Sequence, residues 1–181
     1  MKPIFDKPFL IKLKHTSDQR GKFARFFCKQ EFSKLGYNKE VVQINHTITI
    51  KKGSLRGLHY QAPPFTEAKY IRCMMGKVFD VLVDIRSNSP DFLKLYHFEL
   101  TPNNNECLIV PEGFAHGFQT LANNVCMLYF HTNYYKPESE RGILYNDPDL
   151  KINWPMPITY ISDKDLKHPS IKNFNGINLL S

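Results

Sequence analysis

The stretch Arg56-Gly57-Leu58-His59-Tyr60-Gln61, with Lys69 a short distance beyond it, carries the residue types best suited to chemistry. It places a histidine, which titrates near neutrality and can accept or donate a proton, close to two cations. The glycine lets the backbone bulge or approach a ligand closely. The chain has no residue spacing typical of a metal or cofactor site. This combination indicates acid–base chemistry on an anionic small molecule.

Arg56 and His59 would lie on opposite faces of an ideal strand, because successive side chains alternate between the two faces. Both residues can line one site only if Gly57 carries a bulge or a twist. We therefore expect an irregular backbone at this glycine.

Further histidines lie on the segments that must position this stretch. Val125, Met127, Tyr129 and His131 alternate along one segment and face the same way. If that face is the interior of a barrel, the tyrosine and the histidine look into a cavity. The segment Phe114-Ala115-His116-Gly117-Phe118 adds a histidine between two small residues. In contrast, the sequence gives no functional signal for the histidines at positions 15, 97 and 168.

Segments rich in β-branched and aromatic residues recur at short intervals, separated by clusters of Gly, Pro, Asn and Ser. Many short strands with regular turns predict an all-β sandwich or barrel. One short helix is expected near residues 30–35. Residues 136–181, rich in Pro, Asn and Lys, are expected to form loops and short helical turns that wrap the β core. The clearest strand candidates span residues 41–50, 78–85, 96–100, 107–110 and 125–131.

The size and charge of the chain narrow the function classes. A chain of 181 residues, 42% of them hydrophobic, can bury a core, and no repeat or linker divides it, so one domain over residues 1–181 is expected. The formal net charge of +7 favours anionic partners. The basic residues are scattered rather than clustered, which favours a phosphorylated small molecule over nucleic acid.

Cysteine usage and the N-terminal segment indicate a cytoplasmic protein. The four cysteines form no CxxC pair and lie mostly among apolar neighbours, as small buried side chains do. The first residues are interrupted by charge and lack the apolar region of a signal peptide. No apolar run approaches the length needed to span a bilayer, so no contact with a membrane is expected.

In their order along the chain, these motifs resemble the RmlC-type family, the dTDP-4-dehydrorhamnose 3,5-epimerases of nucleotide-sugar pathways. The most specific match is Arg56–Gln61 together with Lys69, and the resemblance covers nearly the whole chain. The other matching segments are Asp18–Phe23, Gln43–His46, Gly76–Arg86, Pro111–Phe118, Leu128–Tyr129, Asn133–Tyr135, Asn146–Asp147, Trp154–Pro155 and Ser162–Asp165.

The resemblance implies a cupin-type jelly-roll β-barrel with short peripheral helices, which agrees with the strand pattern. It also implies a homodimer, usually intertwined, and an enzyme that needs neither a metal nor an organic cofactor. The chain lacks the H-x-H spacing with which metal-binding cupins place two imidazoles on one face, which agrees with that expectation.

The implied reaction inverts a carbon next to a ketone. In a 4-keto sugar the protons on C3 and C5 are acidified by enolate formation, so the enzyme needs a base, an acid on the opposite face and positive charge near the ketone oxygen. By resemblance, His59 is the base and Asp165 is the carboxylate that orients it. Lys69 matches the cation beside the developing enolate, and Tyr129 matches the acid that reprotonates the carbon.

The nucleotide-sugar is expected to be held by cations, amides and aromatic rings. Guanidinium and ammonium groups suit the pyrophosphate, amides suit the sugar or phosphates, and a tyrosine can stack on the base or cover the sugar. His116 is expected to line the site. The remaining expected binding residues are Arg20, Arg56, Lys164, Gln43, Asn45, Tyr134 and Tyr135.

Departures from the family pattern keep further substrates open. Arg25 stands where the family usually has a glutamate associated with the thymine end of the site. An arginine can donate two hydrogen bonds to guanine, so a GDP-linked hexose or heptose is a candidate substrate beside the dTDP-sugar. The sequence is also compatible with inversion at C3 alone, and with a cupin that binds nucleotide sugars without turnover. The expected product is a precursor of a surface polysaccharide.

Overall fold

A computed structural model describes residues 6–179 of the chain. Within that range, twelve strands and two short helices form, with a 3-10 turn at Pro137–Ser139. The strands are β1 (Phe9–Lys12), β2 (His15–Asp18), β3 (Gly21–Ala24), β4 (Gln43–Thr49), β5 (Leu55–Gln61), β6 (Lys69–Met75), β7 (Val78–Asp84), β8 (Leu95–Leu100), β9 (Glu106–Val110), β10 (Phe114–Thr120), β11 (Val125–His131) and β12 (Glu140–Gly142). The helices are α1 (Lys29–Lys34) and α2 (Asp163–Leu166).

Two five-stranded antiparallel sheets face each other. Their strand orders are β1-β9-β6-β11-β4 and β12-β5-β10-β7-β8, and β2 pairs with β3 as a separate hairpin. Side chains from both sheets meet between them in one apolar cluster, which includes Ile71 and Met127 from the first sheet and Leu82 and Phe118 from the second. This arrangement is the all-β jelly roll that the resemblance implies, and it agrees with the sandwich or barrel that the strand pattern predicts. Helix α1 begins one residue before the predicted helix.

Both faces of the second sheet are buried. On β7, Val78 and Leu82 point between the sheets, while Val81 and Val83 point outwards into a second apolar cluster. The C-terminal part of the chain covers that outer face, as the sequence predicts for the segment after residue 136, and contributes Ile143, Leu150, Ile171 and Ile177 to the cluster. Asp80 shares its face with Val78 and Leu82 and is therefore enclosed in the barrel.

Hydrogen bonds fasten the C-terminal segment beside β5. The side chain of Gln119 on β10 donates to the carbonyl of Met156 and accepts from its N–H, at 2.8 and 3.1 Å. The N–H of Leu55 donates to the carbonyl of Tyr160 at 2.8 Å. These contacts bring α2, which begins three residues after Tyr160, next to β5.

No helix within residues 6–179 is long and apolar enough to cross a membrane. All four cysteines are unpaired, as their spacing predicts.

Candidate active site

A cavity of about 350 Å³ lies between β5 and α2. Its volume falls in the range of small-molecule sites, roughly 300–1,000 Å³. The polar side chains in its wall are those of Thr49, Ser54, Arg56, His59, Tyr160, Ser162, Lys164 and Asp165.

The backbone at Gly57 explains how Arg56 and His59 both reach this cavity. Gly57 has a φ of +120°, and a Cβ there would lie 2.5 Å from the Cα of Gly117 on β10. Only glycines permit strands to approach so closely, and the β5–β10 register shifts between His116 and Phe118. The irregularity expected from the sequence is present.

His59 and Asp165 form a hydrogen-bonded pair in the wall of the cavity. Nε2 of His59 lies 2.8 Å from Oδ1 of Asp165, and Oδ2 accepts from the N–H of Gly57 at 3.1 Å. Ser162 caps α2 by accepting from the N–H of Asp165 at 3.1 Å, which fixes the start of the helix. Within residues 6–179, Nδ1 of His59 has no hydrogen-bond partner and remains available to a ligand.

The surroundings keep the carboxylate of Asp165 ionised. Burial by itself would raise the pKa of Asp165, but the hydrogen bonds and charge of His59, together with the N–H of Gly57, outweigh burial and lower it. The side chain of His59 is 33% exposed, so its ring meets both the buried carboxylate and the cavity. A carboxylate in this position orients the imidazole and stabilises its protonated form.

His168 lies beside this pair, although the sequence gives no functional signal for it. Its Nε2 is 3.5 Å from Oδ1 of Asp165, and its ring centroid is 5.4 Å from that of His59. Burial, followed by the charge of His59, lowers the pKa of His168. Its position three residues after Asp165, at a helical spacing, is the signal that could have revealed it.

The ligand atoms of His59, Asp165 and His168 are close enough together to consider a metal ion. Two ligands of a tetrahedral zinc ion, at bond lengths of about 2.0–2.1 Å, lie about 3.3 Å apart. The 2.8 Å between His59 and Asp165 is shorter and is typical of a hydrogen bond. The geometry therefore favours a proton-transfer pair over a metal centre.

A second imidazole–carboxylate pair is enclosed in the barrel. His116 is opposite His59 in the β5–β10 register, and its Nε2 lies 2.9 Å from Oδ2 of Asp80. Burial raises the pKa of Asp80 in spite of His116. Asp80 is not among the residues predicted for the site, but an aspartate whose neighbours on its face of the strand are Val78 and Leu82 is a signal for an internal polar partner.

Tyr129 projects from β11 into the barrel, as its alternation predicts. Its ring centroid is 6.3 Å from that of His116. Burial raises the pKa of Tyr129, so the phenol keeps its proton at neutral pH and can donate it.

Lys69 belongs to a buried network that the sequence did not reveal in full. Its Nζ lies 3.2 Å from Oε1 of Glu67, and Oε2 of Glu67 is 2.7 Å from Nδ1 of His131. The side-chain amide of Asn45 is 3.4 Å from Nε2 of the same histidine. Burial alone would raise the pKa of Glu67, but Lys69 and His131 outweigh it and lower it. The charge of Lys69 is thereby held inside the barrel.

Polar groups at the rim connect several of the expected binding residues. Glu140 accepts a hydrogen bond from the hydroxyl of Tyr135 at 2.7 Å and pairs with Lys164 at 2.6 Å. Gln43 accepts from the N–H of Tyr135 at 3.0 Å. The side chain of Tyr134 is exposed.

The arginines divide into two groups. Arg56 lines the cavity and donates through Nε to Oγ1 of Thr49 at 3.0 Å. Arg20 pairs with Asp18 on the β2–β3 hairpin, and Arg25 pairs with Glu31 at 2.8 Å. Neither Arg20 nor Arg25 lines the cavity that contains His59 within the described part of this chain.

Comparisons with known proteins identify the family of this chain. The family model described as dTDP-4-dehydrorhamnose 3,5-epimerase matches residues 4–173. A Shigella flexneri protein of that name is 44% identical over 150 residues, which are 82% of each chain. The crystal structure of a Bacillus anthracis protein of that name, with TDP and PPi bound, is 35% identical and has a TM-score of 0.89 over 94% of this chain and 97% of that one.

A solved structure from Legionella pneumophila is as similar to this chain as the Bacillus anthracis structure is. It is described as RmlC in complex with dTDP-4-keto-L-rhamnose, and it is 36% identical with a TM-score of 0.89 over 97% of this chain and 95% of that one. The match extends over both sequence and fold. The chain therefore belongs to the dTDP-4-dehydrorhamnose 3,5-epimerase family of isomerases.

Proposed function

We propose that this protein inverts C3 and C5 of a dTDP-linked 4-keto-6-deoxy sugar. The observation that carries the proposal is the His59–Asp165 pair: a partly exposed imidazole, held by a buried ionised carboxylate, faces a cavity that also contains Arg56 and Lys164. A base next to cations suits the removal of a proton from a substrate that carries a pyrophosphate.

In the proposed first step, Nδ1 of His59 removes the proton from the carbon beside the C4 ketone. The electrons of the C–H bond move into an enolate, whose negative charge rests on the ketone oxygen. Asp165 stabilises the imidazolium that forms, as the carboxylate does in a hydrolase triad. Lys69 supplies positive charge towards the enolate oxygen.

In the second step, Tyr129 donates its proton to the opposite face of the same carbon. The buried phenol stays protonated until the enolate forms, because burial raises the pKa of Tyr129. Its ring lies 6.3 Å from that of His116, which is opposite His59 in the β5–β10 register. His116 is proposed to line the sugar site between base and acid.

The nucleotide diphosphate is proposed to bind at the rim. Arg56 and Lys164 lie in the cavity wall and suit phosphate oxygens. Gln43 and Asn45 provide amides on β4, and Tyr134 or Tyr135 provides an aromatic surface for the base or the sugar.

We further propose a homodimer in which the β2–β3 hairpin reaches the other copy. The hairpin pairs with neither sheet of its own chain. The edge strand β4 and the residue after it expose Ile44, Ile48 and Ile50, at 57%, 59% and 70%. Such an apolar edge is typical of an interface. Arg20 and Arg25 would then enter the site of the second copy.

The dimer is tested by light scattering after size-exclusion chromatography. The Ile44→Glu/Ile48→Glu variant is expected to have half the mass of the wild type. Leu166→Glu, which changes another exposed apolar side chain away from this edge, is the matched control and should keep the dimer mass. A wild-type protein that elutes as a monomer would contradict the proposal.

Deuterium uptake in D2O tests the proposed reaction. A dTDP-linked and a GDP-linked 4-keto-6-deoxy sugar, each made by its dehydratase, are incubated with the protein and analysed by NMR. Label at both C3 and C5 of the dTDP-sugar is expected. Label at C3 alone would indicate an epimerase that acts only at C3. Label in the GDP-sugar alone would indicate a GDP-linked substrate. Binding of either sugar without any label would indicate a non-catalytic cupin. The comparisons favour none of these three outcomes.

The proposed product is a precursor of a surface polysaccharide. We propose that the protein acts in the cytoplasm. The unpaired cysteines are compatible with a reducing compartment.

A further inference from the structure

His168 contacts the His59–Asp165 pair without lining the cavity. Its Nε2 is 3.5 Å from Oδ1 of Asp165, and the planes of the two imidazole rings meet at 78°. The side chain is 10% exposed, and Nε2 is buried with no hydrogen-bond partner among residues 6–179. A buried imidazole nitrogen in this position has the carboxylate of the pair as its polar neighbour.

The strand beneath the ring leaves no space for another side chain. A Cβ at Gly142 would lie 2.3 Å from both Cε1 and Nε2 of His168. Gly142 is also opposite His59 in the β12–β5 register. The ring of His168 is therefore confined between a strand backbone, the proposed base and the carboxylate that orients it.

We propose that His168 is a positioning residue for the epimerase reaction, which holds Oδ1 of Asp165 in place while His59 gains and loses a proton. The inference rests on the proposed function. The N–H of Gly57 donates to Oδ2 of Asp165, and the confined ring of His168 lies against Oδ1, so each oxygen has a neighbour other than His59. The carboxylate then keeps its orientation through the catalytic cycle.

The charges around His168 favour this role. His59 faces it from β5, Asp165 and Lys164 face it from α2, and Glu140 faces it from β12. Burial lowers the pKa of His168, and His59 lowers it further, so the ring is neutral at pH 7. A neutral imidazole with its Nε2 3.5 Å from Oδ1 is a polar neighbour of the carboxylate, and it does not compete with the imidazolium of His59 as a cation would.

Two substitutions separate positioning from space filling. His168→Leu fills the space but removes the polar contact with Oδ1 of Asp165, and we expect kcat to fall about tenfold with KM unchanged. His168→Gln has an amide N–H and should retain kcat within about threefold. His97→Leu, at an exposed histidine on β8, is the matched control and should match the wild type. Wild-type kcat in His168→Leu, or equal losses in both variants, would overturn the proposal.

A second measurement does not depend on turnover. In protein labelled with ¹⁵N-histidine, the solvent exchange of the His59 Nε2 proton is followed by NMR without substrate. We expect faster exchange in His168→Leu than in the wild type and in His168→Gln. If the wild type does not label a dTDP-sugar but this difference is present, the proposed function fails and the positioning effect stands. Equal exchange in all three proteins would overturn the positioning effect itself.

Gly142→Ala tests the same contact from the other side. Because a Cβ would overlap the ring, Gly142→Ala should displace His168 and lower kcat in the wild-type background. In the His168→Ala background the space is free, and the same substitution should cost little further activity. Equal losses in both backgrounds would show that Gly142 acts independently of His168, against the proposal.

Discussion

Two imidazole–carboxylate pairs on neighbouring strands have almost the same geometry and opposite surroundings. Nε2 lies 2.8 Å from the carboxylate in the His59–Asp165 pair and 2.9 Å from it in the His116–Asp80 pair. The first pair opens onto the cavity through a partly exposed ring. The second pair is enclosed, with Asp80 fully buried and its Oδ1 without a hydrogen-bond partner among the described residues.

The number of donors around each carboxylate decides how the two pairs differ. Asp165 accepts from His59 and from the N–H of Gly57, and its pKa is lowered. Asp80 has His116 within hydrogen-bond distance, and burial raises its pKa. An ionised carboxylate beside an accessible ring supports proton transfer, whereas the largely buried His116–Asp80 pair is better suited to hold its imidazole in a fixed orientation. Equal distances therefore do not imply equal roles.

Among the carboxylate substitutions, the largest expected effect contrasts Asp165 with Asp80 directly. Asp165→Asn should lower the rate of sugar-carbon exchange at least about 100-fold, because the base loses the charge that stabilises its protonated form. Asp80→Asn, which leaves His116 a polar partner of the same shape, should cost about tenfold or less. Rates are measured by NMR in D2O. A larger loss for Asp80→Asn would reverse the assignment of roles.

A second prediction concerns the acid near the enclosed pair. Tyr129→Phe removes the proposed proton donor but leaves the base intact. We expect labelled substrate to accumulate, because the same base returns deuterium to the original face, while inverted product falls about 100-fold. The ratio of labelled substrate to product is read by NMR. Undiminished inversion would exclude Tyr129 as the acid.

The pH dependence of stability should have opposite signs for the two carboxylates. The pKa of Asp165 is lowered in the folded protein. Its contribution to the free energy of unfolding is therefore present above the unfolded pKa of about 3.9 and is lost as the pH falls below that value. The pKa of Asp80 is raised in the folded protein. The protonated carboxyl therefore contributes to the free energy of unfolding below the unfolded pKa of about 3.9, and this contribution is lost as the pH rises through the folded pKa.

Thermal unfolding between pH 3 and pH 7 measures this contrast. The difference in Tm between the wild type and Asp165→Asn should grow by a few degrees in favour of the wild type as the pH rises. The difference between the wild type and Asp80→Asn should change in the opposite direction. Parallel trends would show that the two environments are alike.

The smallest expected effect concerns binding at the open pair. Arg56→Gln removes a guanidinium from the cavity wall and should weaken dTDP binding about tenfold, with little change in kcat. Isothermal titration calorimetry measures the binding. Arg25→Gln, at an arginine that pairs with Glu31 away from this chain's cavity, serves as the comparison. If the protein is a monomer, Arg25→Gln should not change dTDP binding. If it is an intertwined dimer, Arg25→Gln should weaken dTDP binding.

Much of the fold follows from local sequence patterns. Alternating apolar residues predict β7 and β11, and the glycine between Arg56 and His59 predicts the irregular strand. The β2–β3 hairpin was not predicted, because its strands are short, polar and exposed and so carry no alternating pattern.

The site was predictable only where its residues form recognisable motifs. Asp80 and Glu67 act through histidines that lie 36 and 64 positions away, and no local pattern specifies those contacts. His168 depends on the course of the C-terminal segment after α2. Its helical spacing from Asp165 indicates a shared face, but the proximity to His59 arises from tertiary packing.

The His59→Gln variant gives the most direct test of the His59–Asp165 pair as the site of proton transfer. The quantity measured is the rate at which C3 and C5 of a dTDP-linked 4-keto-6-deoxy sugar take up deuterium. We expect exchange at both carbons to fall at least about 1,000-fold while dTDP still binds with an affinity close to that of the wild type. Exchange at near the wild-type rate would contradict the assignment of His59 as the base.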